Sequence, residues 1–115
     1  MAIQHKTLAA GHWRELSLRE QLGNVGSEIN RAIMWRKDEK KYQDSMDRAL
    51  ELMDLTLQDP RWRDGILREL DRAREMICDA MFGGQEYGST LEDLDRYFFA
   101  FALAARLARE QILKN

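Results

Sequence analysis

Apolar residues recur every three or four positions through most of the chain, which is the pattern of amphipathic α-helices. Four segments show this period, and no useful stretch shows the alternation typical of strands. The pattern therefore predicts an all-α protein. The predicted helices run from about Leu18 to Lys37, from about Lys41 to Gln58, from Pro60 or Asp64 onward, and from Ser89 or Thr90 onward.

Local residues support these boundaries. Ser17 followed by Glu20 has the spacing of a capping box, in which both side chains bind amides that the helix leaves unpaired. Asp59-Pro60 is the strongest break in the chain, because Pro is tolerated at the start of a helix and not inside one. The glycine-rich run 83–88 predicts a loop.

Short connections between helices favour antiparallel neighbours. We therefore expect an antiparallel up-and-down four-helix bundle over residues 17–115, with an N-terminal arm over residues 1–16. The arm shows no period, so we expect it to be extended and to pack on its own domain or on a neighbour. A length of 115 residues fits one domain.

Two arginines interrupt apolar helix faces: Arg74 in the third helix, and Arg36 beside Ile29 and Ile33 in the first. Arg74 lies among Leu70 and Ile77, and a buried arginine needs a carboxylate partner. Asp54 is the first choice for a structural ion pair with Arg74, and Glu28 and Glu51 are alternatives. A competing interpretation places Arg74 at the bundle edge, where its long side chain reaches water.

Several apolar residues lie outside the faces that a four-helix core would use. A single bundle cannot bury both sides of its helices, so this surplus predicts an interface with a second copy or with a protein partner. The alternative is that the N-terminal arm covers these residues. The predicted interface residues are Trp35, Leu52, Leu55, Phe99, Leu103 and Leu107.

Composition excludes several classes of function. The formal net charge is −2, so no overall field attracts nucleic acid or anionic lipid. The single cysteine, Cys78, suits a reducing compartment. We detect no signal peptide and no apolar run long enough for a membrane span. These features predict a cytoplasmic protein without a membrane partner.

Histidine occurs only as His5 and His12, so neither a zinc site nor a bundle di-iron site is expected, and we expect no cofactor. One enzymatic hypothesis stays open. Two carboxylate pairs at helical spacing could bind Mg²⁺, as in all-α nucleotide pyrophosphohydrolases, although the spacing differs from the pattern of those enzymes. The four candidate ligands are Glu51, Asp54, Glu75 and Asp79.

A third hypothesis is RNA binding through the arginines of the third helix, which could contact phosphates. Acidic residues interleave with these arginines, so a salt-bridged helix is the competing explanation. The arginines assigned to this helix are Arg61, Arg63, Arg68, Arg72 and Arg74.

Four sequence segments resemble a family of small uncharacterised prokaryotic all-helical proteins. They are the run 22–32, the run 48–56, the turn Asp59-Pro60-Arg61, and the segment from Tyr97-Phe98 to Arg106. The resemblance implies a four-helix fold and a prokaryotic origin, and it implies no activity. The sequence as a whole therefore predicts a non-catalytic helical protein that works by association.

Overall fold

The structure is a computed structural model that describes residues 8–114. Within that range every regular element is an α-helix, as the sequence predicts. None of the described helices combines the length and apolar character needed to cross a membrane. The elements are α1 (Leu8–Trp13), α2 (Leu18–Met34), α3 (Glu39–Leu57), α4 (Asp64–Met81) and α5 (Leu91–Lys114).

The start of α2 confirms the predicted capping box. The Ser17 hydroxyl accepts from the Glu20 amide at 3.1 Å, and the Glu20 carboxylate accepts from the Ser17 amide at 3.0 Å. The helix ends at Met34, three residues before the predicted end. Residues 35–38 form a turn instead, in which the Asp38 amide donates to the Trp35 carbonyl at 2.8 Å. Asp38 then caps α3 through the Lys41 amide.

The prediction of an extended arm is wrong for residues 8–13, which form α1. This short helix contains Gly11, which lies within the segment predicted to be extended. It is held at its end by Trp13, which is buried and donates from its indole Nε1 to the Thr56 hydroxyl at 3.0 Å. The part of the arm before Leu8 lies outside the described residues.

Helix α4 begins at Asp64 rather than at Pro60. Asp59 does not cap it, because the Asp59 carboxylate binds Arg61 within the preceding turn. The residue before α4, Arg63, provides no side-chain cap. Asp64 has a φ of 54°, a strained value for a residue with a side chain, so the helix starts abruptly after the turn.

The core forms where the predicted apolar faces meet. Helix α2 packs on both α3 and α5, and α4 makes smaller contacts with α3 and α5. The predicted faces supply most of the buried side chains. The buried core residues from α2 to α5 are Leu22, Val25, Ile29, Ala32, Met46, Ala49, Met53, Leu70, Ala73, Ile77, Leu91, Leu94 and Phe98.

Helices α2 and α5 approach closely because two glycines of α2 face α5. A Cβ atom added at Gly26 would lie 2.7 Å from the Phe98 Cβ, and one added at Gly23 would lie 3.0 Å from the Ala102 Cα. Gly26 therefore has no room for even a methyl group. Val25 of α2 and Phe98 of α5 are fully buried.

A carboxylate organises the loop between α4 and α5. Asp79 accepts from the backbone amides of Glu86, Tyr87 and Ser89 at 2.8, 3.2 and 3.0 Å. Burial opposes ionisation of Asp79, but these hydrogen bonds outweigh it and lower the pKa of its carboxyl. The loop also needs Gly84, which has a φ of 73°. Asp79 thereby fixes where α5 begins.

Replacement of Gly26 by Ala should reduce the free energy of unfolding by about 1–3 kcal/mol, because the new methyl group would push Phe98 and α5 outward. Gly65→Ala is the control, since a Cβ there meets only the Arg68 guanidinium at 3.8 Å. That change should stabilise the protein by about 0.5–1 kcal/mol. Urea unfolding followed by circular dichroism measures both, and equal effects would contradict the close-approach argument.

Candidate functional site

Helix α5 has an apolar face on each side. Its inner face includes Leu94 and Phe98, which are buried in the core. On its outer face Phe99, Leu103 and Leu107 are 61%, 43% and 55% exposed. These three residues are four positions apart, so they form one continuous row along the helix, which we call the α5 stripe. The structure thus places three of the six predicted interface residues together on one surface.

A groove lies beside the N-terminal end of the α5 stripe. It has a volume of about 740 Å³ and runs between α2 and α5. Gly23 and Gly26 form part of it, and Met34, Trp35 and Phe99 add apolar walls. Met34 and Trp35 are both exposed, and the Lys41 ammonium lies 3.8 Å from the centre of the Trp35 ring. The predicted interface residue Trp35 is therefore continuous with the stripe.

Leu52 and Leu55 do not join this surface. Both are half-buried on α3, and Leu52 packs against the core. Helix α1 contacts α3, and Trp13 binds Thr56 one residue beyond Leu55. For Leu52 and Leu55, both the interface and its alternative, cover by the N-terminal segment, stay predictions.

Ion pairs flank the α5 stripe on the surface. Arg96 pairs with Asp93, and Arg106 pairs with Glu110 at 3.3 Å. All four side chains are largely exposed, so each pair contributes little to stability. These pairs leave charged groups free to exchange partners next to an exposed apolar row.

Arg74 donates from Nε to Asp54 Oδ1 at 2.7 Å. The two side chains are 36% and 48% exposed, so the pair lies at the edge of the helix packing rather than within it. The Asp54 carboxylate raises the pKa of the Arg74 guanidinium. A half-exposed pair of this kind contributes roughly 0–1 kcal/mol.

Glu28, the alternative partner for Arg74, lies elsewhere. Its buried carboxylate binds Arg31 within α2 and accepts from Arg48 Nε at 2.9 Å. Glu28 therefore joins α2 to α3 through a more buried ion pair than the Arg74–Asp54 pair. The helical pattern did not single out Arg48, because it lies beside the apolar face of α3 and not within it.

The four carboxylates proposed for Mg²⁺ do not converge. Asp54 binds Arg74, Asp79 binds the loop amides, and Glu75 accepts from the Tyr87 hydroxyl at 3.2 Å. Among residues 8–114, no three carboxylate, histidine or cysteine groups are placed to hold one metal ion. Glu51 has an interaction of its own and lies half-buried on α3.

The arginines proposed for RNA binding are divided between two elements. Arg61 and Arg63 precede α4, so they do not belong to the helix to which the sequence analysis assigned them. Arg61 binds Asp59, and Arg63 donates to the Pro60 carbonyl at 3.3 Å. Arg74 holds Asp54, which leaves Arg68 and Arg72 as the exposed arginines of α4.

A buried polar network that the sequence pattern missed joins three parts of the chain. Gln21 Nε2 donates to the Trp13 carbonyl at 2.8 Å and to Asp59 Oδ2 at 3.0 Å. Trp62 Nε1 donates to Gln21 Oε1 at 2.8 Å. This network fixes α1 and the α3–α4 turn against the start of α2.

Arg61 completes the network at the surface. Its guanidinium donates to both oxygens of Asp59 and to the Leu16 carbonyl at 2.7 Å. The hydrogen bonds from the Arg61 side chain lower the pKa of the buried Asp59 carboxyl to about 2, against a smaller opposing effect of burial. Helical periodicity could not reveal this network, because its members lie in turns or are polar. The Asp59-Pro60-Arg61 turn is the sequence feature that pointed to this part of the network.

A second cavity of about 370 Å³ lies between α4 and α5. Ala73, Met76 and Leu94 line it, and Tyr97 crosses it to donate its hydroxyl to Glu69 at 3.0 Å. Burial and this carboxylate raise the pKa of Tyr97 to about 12, so the phenol stays protonated. Its hydroxyl acts as a structural donor between the two helices.

Comparison of the chain with protein-family models, curated proteins and solved structures gives no match.

Asp59→Asn should remove the part of the acid sensitivity of the fold that comes from protonation of Asp59. Because the folded pKa of about 2 lies below the ordinary value of 3.8, Asp59 stabilises the fold fully above about pH 4. Its contribution is lost as the pH falls toward 2. The variant should lose on the order of 2 kcal/mol of unfolding free energy at neutral pH.

Urea unfolding between pH 2 and 7 measures this difference. The control is Asp44→Asn at an exposed position of α3, which should change the free energy of unfolding by less than about 0.5 kcal/mol. An Asp59→Asn protein that keeps the acid dependence of the wild type would show that the network does not hold Asp59 ionised.

Proposed function

We propose that this chain is a non-catalytic four-helix-bundle protein that acts by association, with itself or with a protein partner, through the α5 stripe. The observation that carries the proposal is the exposure of Phe99, Leu103 and Leu107 in one row. Isolated apolar residues are normal on protein surfaces, but a continuous apolar row with an adjoining groove is typical of an interaction site.

The contacts between helices are compatible with an antiparallel bundle. Gln21 of α2 binds Asp59 just after α3, and Glu28 of α2 binds Arg48 of α3. Residue numbers therefore rise along α2 in the direction in which they fall along α3. From α2 to α5, Gly23 faces Ala102 and Gly26 faces Phe98 in the same opposed sense. Helix packing of this kind would hold α5 rigidly and leave its outer face exposed.

Burial of the α5 stripe would contribute favourably to association. Burial of the remaining exposed surface of the three side chains is worth roughly 5–7 kcal/mol per copy at 25 cal/mol per Å². Association costs about 4–15 kcal/mol in lost freedom of motion. Two such surfaces in contact would offset much of that cost, and the groove beside Phe99 adds further apolar area.

No specific observation favours the two alternative functions. A nucleotide hydrolase would need its carboxylates to converge, and three of the four bind groups of the protein itself. RNA binding would need a basic surface, and the chain has a formal net charge of −2.

A matched pair of variants tests the association proposal. Leu103 and Ile66 are equally exposed, at 43%, but Ile66 lies on α4 away from the stripe. We expect the protein, purified gently from cells that express it, to have a native mass above the 13.5 kDa of one chain. Leu103→Ser should reduce that mass, whereas Ile66→Ser should not.

Light scattering coupled to size exclusion gives the native mass, and circular dichroism checks that both variants are folded. A wild-type protein that elutes as a single chain at every concentration, with nothing bound to it, would contradict the proposal.

A further inference from the structure

We infer that the α5 stripe binds the α5 helix of a second copy of this chain, in antiparallel orientation, with Leu103 at the two-fold axis. This inference rests on the proposed function, since it assumes that the stripe is an association surface. The inference specifies which molecule binds the α5 stripe and in which direction its helix runs. The register of apolar and charged residues along α5 supports both.

The apolar residues are symmetric about Leu103. Phe99 lies four positions before it and Leu107 four positions after it, and all three are exposed. A two-fold axis through Leu103 brings Phe99 of one copy against Leu107 of the other, twice in the dimer. Residues four apart lie on neighbouring positions of a helix surface, so the whole row can be buried in one contact.

The charged residues on the same face have the matching symmetry. Arg96 lies seven positions before Leu103 and Glu110 seven positions after it, and a spacing of seven keeps all three on one side of the helix. The antiparallel arrangement brings Arg96 of each copy against Glu110 of the other. A parallel arrangement would instead bring Arg96 against Arg96. Charge complementarity therefore selects the antiparallel direction.

These charges are available for such contacts. In the single chain Arg96 pairs with Asp93 and Arg106 pairs with Glu110, and all four side chains are largely exposed. Exposed pairs are weak, so an exchange of partners costs little. The overall distribution agrees, because Glu92, Asp93 and Asp95 occupy the start of α5, whereas Arg106 and Arg109 lie in its second half.

A further apolar surface lies near each end of the stripe in this arrangement. Met34 and Trp35 are exposed next to the N-terminal part of α5, where the Arg36–Glu92 ion pair joins the turn after α2 to α5. Ile112 and Leu113 are 73% and 86% exposed at the other end of α5. Antiparallel pairing brings the end of α5 from one copy toward the Met34–Trp35 groove of the other.

Cysteine cross-linking tests the register directly. In a Cys78→Ser background, Leu103→Cys should form a disulfide-linked dimer on mild oxidation, because the two positions meet at the axis. Phe99→Cys alone should not, since two copies of residue 99 lie eight residues apart along the pair, about 12 Å at 1.5 Å per residue. That distance exceeds the Cα separation of about 7 Å that a disulfide spans. An equimolar mixture of Phe99→Cys and Leu107→Cys should cross-link.

A dimer that cross-links through Phe99→Cys alone would overturn the antiparallel register. A purified wild-type chain that sediments as a monomer up to millimolar concentration would show that the α5 stripe does not bind a second copy. If the gently purified protein still has a larger native mass, the occupant is another protein and the proposed function survives. If the native mass is also that of one chain, both proposals fail.

Charge reversal provides an independent check. Arg96→Glu should weaken dimerisation roughly fivefold or more in sedimentation equilibrium, because two cross-copy attractions become repulsions. The double variant Arg96→Glu with Glu110→Arg should recover most of the affinity, since both attractions return with opposite sign. A double variant no tighter than Arg96→Glu would contradict the proposed contact.

Discussion

The close approach of α2 and α5 is the constraint on which the rest of the structure depends. Gly23 and Gly26 remove the side chains that would separate the two helices, and Phe98 and Ala102 occupy the space. This line of contact determines which face of α5 enters the core. Once Leu94 and Phe98 point inward, Phe99, Leu103 and Leu107 on the far side of the helix stay about half exposed. The α5 stripe is therefore exposed because the contact with α2 turns the opposite face of α5 toward the core.

Polar groups hold the ends of the helices in place. The Gln21 network ties α1 and the α3–α4 turn to α2, and Asp79 ties the α4–α5 loop to α4. Each network fills the hydrogen-bonding capacity of a buried group, which would otherwise destabilise the fold. These fixed ends keep α5 in one position, and a rigid helix is a better binding surface than a mobile one because less ordering is required on association.

Helical periodicity predicted the four long helices and most of the core, because burial of an amphipathic face follows directly from a 3.6-residue period. It failed where the determining contacts are polar or distant in sequence. Trp13 and Gln21 are buried through hydrogen bonds, and α1 forms in a segment without a period. The pattern predicted an apolar surplus on the outer face of α5, where Phe99, Leu103 and Leu107 are exposed, but it could not show that Leu52 and Leu55 of α3 are half-buried.

The central claim is that the α5 stripe is covered in the functional assembly. Hydroxyl-radical footprinting of the gently purified protein measures this for each side chain, whatever the partner. We predict that Phe99, Leu103 and Leu107 are protected relative to the folded single chain, obtained by removal of any partner and dilution until it sediments as a monomer, while the exposed Phe82 and Tyr87 react equally in both. Reactivity of the α5 stripe as high in the native material as in the single chain would contradict the account.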